Sequence, residues 1–323
     1  MNPAERPPKL MNPVLVETNL SEFGTKYKGK VRDVYDPGNG TLILVATDRH
    51  SSFDRHIADI PRKGEILNRI SAFWFEKTKD IVPNHLLAMP DGNVTIAKKT
   101  KPLKIEAVVR GYLTGVTDTS IWTRYQNGER TFGGVTLAEG LTKDTALPQP
   151  VFDPTTKEET HDRNLGKDDM VREGFISAEQ YAEVERIAIA LYNRGNEIAR
   201  ERGLILVDTK YEFGVDENGT IVLIDEIHTP DSSRWWYAAT YDERLADGKA
   251  PEFFDKEFLR LWFREHSDPY KDATLPAAPT ELIEEMTRRY TAIYEQITGE
   301  TLPPLPAGSI EARIREALKT YAS

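Results

Sequence analysis

The chain has 323 residues, of which 39% are hydrophobic and 29% charged. That length is too great for one small core, so two lobes with a helical appendage are expected of a globular protein. A net charge of −10 argues against general binding to nucleic acid or to an anionic membrane, and the complete lack of cysteine excludes disulfides, thiolate metal sites and cysteine nucleophiles.

The opening "MNPAERPPKLMNP" has no apolar centre of the kind a signal peptide needs, and reads as a flexible leader over residues 1–13. Met11 offers an alternative start. No apolar run approaches the roughly 20 residues that span a bilayer, so the expected compartment is the cytoplasm. "KYKGKVRDVYDPGNGTLILVATD" predicts two strands around the turn "PGNG". "GEILNRISAFWFEKTKD" predicts a helix with Ile66, Ile70, Phe73 and Trp74 on one face. "NVTIAKKTKPLKIEAVVRGYLTG" reads as strand, basic connector, strand, with a lobe boundary near Pro102. In "SAEQYAEVERIAIALYNRGNEIARERG", Ser177 and Gln180 form a capping box and Gly203 stops the helix. "TELIEEMTRRYTAIYEQITG" predicts another helix before the break "LPPLPAG". The expected division is a leader (1–13), a first α+β lobe (14–102), a larger α+β lobe (103–250) and a helical extension (251–323) packed on the larger lobe.

"LILVDTKYEFGVDENGTIVLIDE", Leu204 to Glu226, reads as a hairpin with charges on its strands. Alternation puts Asp208, Lys210 and Glu212 on one face. If Asn218 and Gly219 form a two-residue turn, Glu217 pairs with Thr220 and Glu212 lies opposite Asp225. Opposed carboxylates with Cβ atoms about 5 Å apart repel, and need a shared proton, a cationic side chain or a divalent metal. Oxygen-only donors favour Mg²⁺, with phosphates as further ligands. A solvated charged face is the competing reading; the apolar flanks "LILV" and "IVLI" place these charges at the edge of a core instead.

"LVDTKYEFG" and "KIEAVVRGYLTG" resemble signatures of the SAICAR synthetase family, and "YKGKVRDVYD", "TDRHSSFD", "RKGEILNRISAFWF" and "DEIHTPDSSRWW" fall in that family's order. The resemblance spans roughly Tyr27 to Trp236. It implies a two-lobed α+β fold related to ATP-grasp and kinase-like folds, with the site in a cleft between lobes. It also implies an ATP-dependent amide ligase of purine biosynthesis. Such an enzyme joins L-aspartate to 5-amino-1-(5-phosphoribosyl)imidazole-4-carboxylate through an acyl phosphate. ATP and Mg²⁺ are then the cofactors, small molecules the partners, and the enzyme a monomer or homodimer.

By that resemblance Lys28, Gly29, Lys30, Val31 and Arg32 cover the nucleotide phosphates, and the connector from Lys101 to Glu106 meets adenine. Glu212 and Asp225 hold the metal, and Lys210 meets transferring phosphoryl or carboxylate oxygens. Arg110 and Arg234 suit the substrate's phosphate and carboxylate, with Ser233 beside them. Asp208 is a candidate for substrate amino or ribose groups. Ser51, Ser52 and Asp54 face the imidazole substrate or aspartate, or else form a helix-capping turn. Lys157 and Asp162 belong to a further loop, where Asp162 would hold the aspartate amine.

Two departures from the family pattern stand out. His228 occupies a position more often apolar, and a lone histidine is more often structural. The family's Gly-Ser after this arginine strand is here Gly115-Val116. With "VTDT" read as a four-residue insertion, Ser120 becomes the displaced serine at a helix start, with Thr117 the other hydroxyl in reach. The alternatives are another ATP-dependent carboxylate–amine ligase of related fold, or a nucleotide-binding protein without catalysis. A protein kinase is disfavoured by the absence of "HRD" and "DFG" motifs.

Overall fold

The structure is a computed structural model, describing residues 13–53, 55–158, 163–254 and 257–322. Apart from Pro13, the expected leader lies outside the described residues, as do Asp54 and Asp162.

The first alternating segments pair into an antiparallel meander of β1 (Thr25–Lys28), β2 (Arg32–Asp36) and β3 (Thr41–Ala46). "PGNG" joins β2 to β3 as expected, with Gly38 and Gly40 both at positive φ, 79° and 83°. The segment read as two strands supplies three, because "KGKV" also reverses the chain. A separate hairpin of β4 (Arg49–Ser52) and β5 (Arg55–Asp59) precedes α1 (Lys63–Thr78). Then β6 (Leu86–Asp91) and β7 (Val94–Lys98) complete a five-stranded sheet in the order β1-β2-β3-β7-β6.

The second sheet is assembled on a long central strand. After β8 (Lys101–Pro102) come β9 (Ile105–Tyr112), α2 (Ile121–Gln126), the small ribbon of β10 (Thr131–Phe132) and β11 (Val135–Thr136), β12 (Ala146–Phe152), β13 (Thr155–Thr156) and α3 (Lys167–Arg172). Helix α4 (Ala178–Glu201) carries both reciprocal bonds of the Ser177–Gln180 capping box, and Gly203 follows at φ 71°. It feeds β14 (Leu204–Val215), β15 (Ile221–Ile224) and β16 (Ser233–Tyr237), then α5 (Ala238–Ala246). The main path is β12-β9-β14-β15, with β13 on β9 and with β16 and β8 on β14. Helix α4 packs behind this sheet, and its Tyr192 hydroxyl donates to Leu206 O at 2.7 Å. The contact is tight enough that a Cβ on Gly111 would lie 1.8 Å from that hydroxyl.

The main core joins α1 to the second sheet: Ile70 and Trp74 of α1 share it with Leu191 and Tyr192 of α4, and with Trp235, while the first sheet buries a cluster of its own. The C-terminal helices are α6 (Glu257–His266), α7 (Thr280–Thr298) and α8 (Ile310–Ala322). Leu259 and Phe263 of α6 and Tyr290 and Ile293 of α7 bury in the main core with Leu206 and Trp235, and the structure corrects the expected packing for α8. Helix α7 lies against α1, while α8 reaches the first sheet rather than the larger lobe. Its Ile314 and Leu318, one turn apart, bury against Leu15, Leu20, Tyr35 and Val45. Full burial of two such side chains stabilises by about 1.5–3 kcal/mol each. Arg313 pairs with Asp91 and Arg315 with Glu22, each at 2.7 Å, which fixes α8 at both faces of the contact.

Candidate active site

Strand β14 sets out the charged row. Asp208, Lys210 and Glu212 share a face because side chains alternate. Asp208 pairs in register with Arg110 of β9 on one side and Arg234 of β16 on the other. Lys210 Nζ lies 2.9 Å from Glu106 and 2.8 Å from Glu212. Burial works against its charge, yet Glu212, Glu106 and Asp225 raise Lys210 above its ordinary value. Glu106 therefore belongs to this row on β9 and not to the connector, where it was expected; Lys101 stays in the connector, exposed on β8 at the edge of β14. Lys157 bonds the second oxygen of Glu212. Burial alone would raise Glu212; Lys210 and Lys157 hold it down at about 2.

The hairpin register differs by one residue from the expected one. Glu212 faces Ile224, and Val215 faces Ile221. The loop is three residues long, Glu217 to Gly219, with Gly219 at φ 82°, a common three-residue closure. Asp216 decides this: its carboxylate accepts the N–H groups of Asn218 and Thr220, both at 2.9 Å, an Asx turn that favours the longer loop. Asp225 consequently does not oppose Glu212. It lies past the end of β15 at φ 68° and bonds Arg32 across the cleft. Each carboxylate thus has its own cation, and the expected repelling pair does not exist in this structure. Arg32 also approaches Glu226 at 3.4 Å. Burial pushes the Glu226 carboxyl up against the pull of Arg32, with Asp225 and Asp231 adding to the rise.

Arg110 and Arg234 line a cavity of about 400 Å³ together with Asp208, Ser120, Ser233, Lys143 and Arg260. Arg234 Nε lies 2.9 Å from Asp208 Oδ1, and Arg110 Nη1 lies 3.7 Å from Oδ2. Both oxygens of Asp208 are engaged by arginines, Oδ1 by Arg234 Nε and Oδ2 by Arg234 Nη2, which orients these cations. Against burial, Arg234 and Arg110 hold its carboxyl below the usual range. Arg110 is fixed from behind by Asp153, 2.7 Å from Nε, which Arg124 also grips. Ser120 caps α2: its Oγ accepts from Thr123 N at 3.4 Å and donates to Thr117 O at 2.7 Å. It packs so closely on Gly115 that a Cβ there would lie 2.4 Å from the serine Cβ.

The basic hairpin between β1 and β2 is tied down through its carbonyls. Gly29 N–H donates to Arg32 O at 2.8 Å. Arg49 donates to Gly29 O and Lys30 O, at 3.0 and 3.1 Å, and Thr47 Oγ donates to Val31 O at 2.8 Å. Lys28 is exposed and bonds Glu17 at 2.7 Å. Ser51 and Ser52 lie in strand β4, not in the alternative helix-capping turn, and Ser52 Oγ is 3.3 Å from His50 Nε2. His228 is core: fully buried, its Nε2 is 2.6 Å from the Tyr211 hydroxyl, and burial lowers it to about 3.

Glu106, Asp153, Asp231 and Lys63 carry no local pattern that marks them as partners of site residues. Lys63 lay within "RKGEILNRISAFWF", Glu106 within "KIEAVVRGYLTG" and Asp231 within "DEIHTPDSSRWW", just ahead of two more conspicuous serines and an arginine; Asp153 lay in none of these motifs. Among the described residues, no group of three or more His, Asp or Glu is arranged to hold a metal ion.

A cleft in an α+β protein that gathers lysines, arginines and carboxylates from both lobes defines an enzyme that brings several anions together, and the comparisons make that class ATP-dependent ligase. The SAICAR synthetase family model matches residues 25–276. A phosphoribosylaminoimidazole-succinocarboxamide synthase of Legionella pneumophila (strain Paris) is 56% identical over 287 residues, 89% of this chain and 91% of its own. A chloroplastic one of Arabidopsis thaliana is 50% identical over 296 residues, covering 90% of this chain and 72% of its own. The SAICAR synthase of Saccharomyces cerevisiae, solved in complex with SAICAR, superposes with a TM-score of 0.77 at 30% identity, over 90% of this chain and 100% of that one. A type-2 SAICAR synthetase in complex with ADP gives 0.66 at 26% identity, over 86% and 100%. The chain belongs to the SAICAR synthetase family, ATP-dependent ligases of purine biosynthesis.

Proposed function

We propose that the chain joins L-aspartate to the 4-carboxylate of 5-amino-1-(5-phosphoribosyl)imidazole-4-carboxylate, with ATP converting that carboxylate to an acyl phosphate. A carboxylate is a poor electrophile until phosphorylated; the aspartate amine then attacks and phosphate leaves. Nothing covalent is asked of the protein. It has to position anions and neutralise developing charge. The observation that carries this reading is the arginine pocket on one strand face continuing into the Lys210 row. Arg110 and Arg234, already oriented by Asp208 and Asp153, take the substrate's phosphate as fork-shaped donors, with Ser233 and Ser120 at the same cavity. Lys210 and Lys157 meet the transferring phosphoryl group. The hairpin from Lys28 to Arg32 covers the nucleotide phosphates, and Lys101 lies beside the adenine. Ser51, Ser52 and Asp54 stay candidates for the imidazole or aspartate, and Asp162 for the aspartate amine.

Glu212 and Asp225 fit Mg²⁺. They are hard oxygen donors, and two carboxylates leave the remaining positions to phosphates, as Mg²⁺ prefers. When bound there the ion would neutralise phosphate charge. Lys210 would then keep only Glu106, and Arg32 only Glu226, as carboxylate partners while facing the anions. The cysteine-free composition supports the cytoplasm as compartment, and a monomer or homodimer is the proposed assembly.

The test is ADP release that requires both the imidazole carboxylate and aspartate. With ¹⁸O in the 4-carboxylate, one label should leave in phosphate. Label confined to the amide and to unreacted carboxylate excludes the acyl phosphate.

A further inference from the structure

Asp231, in the turn between β15 and β16, lines the same cavity as Ser233 and Arg234. Two helices hold its carboxylate. Lys63, the first residue of α1 and fully buried, places Nζ 2.7 Å from Oδ2. Tyr290, in the middle of α7, donates its hydroxyl to Oδ1 at 2.6 Å. The contacts continue away from the cavity: the Tyr290 hydroxyl is 3.4 Å from His50 Nδ1, and His50 Nε2 is 3.3 Å from Ser52 Oγ. One proton arrangement satisfies the whole chain. Ser52 donates to His50 Nε2, His50 Nδ1–H donates to Tyr290, and Tyr290 donates to Asp231.

The turn that carries Asp231 is wired to both halves of the site. Asp231 N–H and Ser232 N–H donate to the Thr229 hydroxyl, each at 3.2 Å, and that hydroxyl donates to Glu226 at 2.6 Å. Ser232 O accepts from Lys210 N at 3.0 Å. Displacing Asp231 would therefore shift Arg234 on one side and strain the Lys210 strand on the other. A hydroxyl on a carboxylate makes a short, strong hydrogen bond, and leaving either group unpaired in a buried position is costly. Tyr290 is 2% exposed. It also lies beyond residues 25–276, the segment that the family model matches.

We infer that Tyr290 is a positioning residue of the substrate pocket: through Asp231 it fixes the 229–234 turn, so that helix α7 completes a site otherwise built within the family segment. The inference deepens the reading of the 400 Å³ cavity as the imidazole-nucleotide pocket and rests on it. Tyr290 acts through Asp231 and is not assigned a contact with substrate.

The experiment uses the full chain and four variants: Tyr290→Phe, Asp231→Asn, the two combined, and Tyr294→Phe as control. Tyr294 is on the same helix with its hydroxyl 3.4 Å from Glu300, so the control removes the same atom away from the pocket. Tyr290→Phe is expected to raise KM for the imidazole nucleotide about five- to tenfold, with KM for ATP within about twofold. Tyr294→Phe should leave both unchanged. In the Asp231→Asn background, adding Tyr290→Phe should cost less than about twofold more, because coupled groups are not additive. An unchanged imidazole-nucleotide KM in Tyr290→Phe overturns the inference. So do effects that multiply fully in the double variant, or a rise of all KM values together with a loss of Tm. If the parent chain itself releases no ADP with imidazole carboxylate and aspartate, the functional reading fails and the inference with it. A parent that turns over normally beside an unaffected Tyr290→Phe sinks the inference alone.

Discussion

Replacing Glu212 by glutamine keeps the shape of the side chain and removes one charge, and the structure fixes the sign of the outcome. Glu212 is held by Lys210 at 2.8 Å and by Lys157. Burial would raise its pKa, yet these cations bring it from 4.5 to about 2. A carboxylate lowered in the folded state contributes stability that is present above its unfolded value and lost as pH falls through the folded one. At pH 7 the contribution is complete, with an upper figure of about 3 kcal/mol from linkage. Two facts reduce it. The Lys157 side chain is 43% exposed, so water screens its share, and Lys210 keeps Glu106 at 2.9 Å when Glu212 is neutralised. The expected loss is about 1–2 kcal/mol, a fall in Tm of roughly 1.5–3 °C for a chain of this size. Calorimetry of the ligand-free protein at pH 7 measures it. Had Glu212 and Asp225 opposed each other across the ladder, the same substitution would relieve repulsion and raise Tm. A higher Tm for Glu212→Gln therefore refutes the ion-pair assignment. Repeating the scan with Mg²⁺ and ATP reads the second role: the parent should gain stability from ligand and the variant less.

Ser120→Ala should lower stability by about 1 kcal/mol through loss of the α2 cap. It should also raise KM for the imidazole nucleotide about three- to tenfold, since Ser120 Oγ pins the Thr117 carbonyl beside the pocket; an unmoved KM, set beside Thr117→Val, confines Ser120 to capping. His228 is lowered to about 3 by burial and His85 to about 4. Both must gain a proton on unfolding in acid, so stability is full above pH 6.5 and falls toward pH 4. His228→Asn should flatten the denaturation free energy against pH by about 1.4 kcal/mol per unit in that window, and an unchanged slope rules out the neutral buried imidazole. Gly111→Ala should cost about 1–3 kcal/mol by overpacking, and Tyr192→Phe in the same chain should recover part of it by removing the clashing oxygen; no recovery places the strain elsewhere.

What could be read from the sequence was set by how local each cause is. The α4 cap lies within four residues, and both its bonds form as the pattern requires. The alternation of β14 is equally local, and it puts Asp208, Lys210 and Glu212 on one face. The register was lost on a single local competitor, the Asp216 side chain, whose Asx turn adds a residue to the loop. A turn dipeptide cannot rank that bond against its own preference. The counter-ions were beyond reach for a different reason. Asp153 is 43 positions from Arg110, and Asp225 is 193 from Arg32. Helix α8 shows the same limit: its apolar stripe is plain, but which sheet will receive it depends on a surface some 270 residues upstream, at Tyr35 and Ile43.

The long-range pairs explain how a chain of net charge −10 can be built to gather anions. Four of the cations named for the substrates lean on a carboxylate of the protein: Lys210 on Glu106, Arg110 on Asp153, Arg234 on Asp208, Arg32 on Asp225. These pairs keep the cations charged and aimed without an anion present, so little rotamer freedom remains to be lost when one arrives. They also exact competition, because a phosphate must share each guanidinium or ammonium with a carboxylate that does not leave. Arg110 and Arg234 avoid the conflict by geometry. Asp153 engages Arg110 Nε, and Asp208 engages Arg234 Nε and Nη2; a guanidinium carries further N–H donors to turn toward a ligand. Lys210 and Arg32 are in the other situation. Their partners, Glu212 and Asp225, are the same carboxylates that suit Mg²⁺. In the proposed Mg²⁺ site Glu212 and Asp225 would serve the ion, while Lys210 would keep Glu106 and Arg32 would keep Glu226, so that each cation would face the phosphates with one carboxylate partner in place of two.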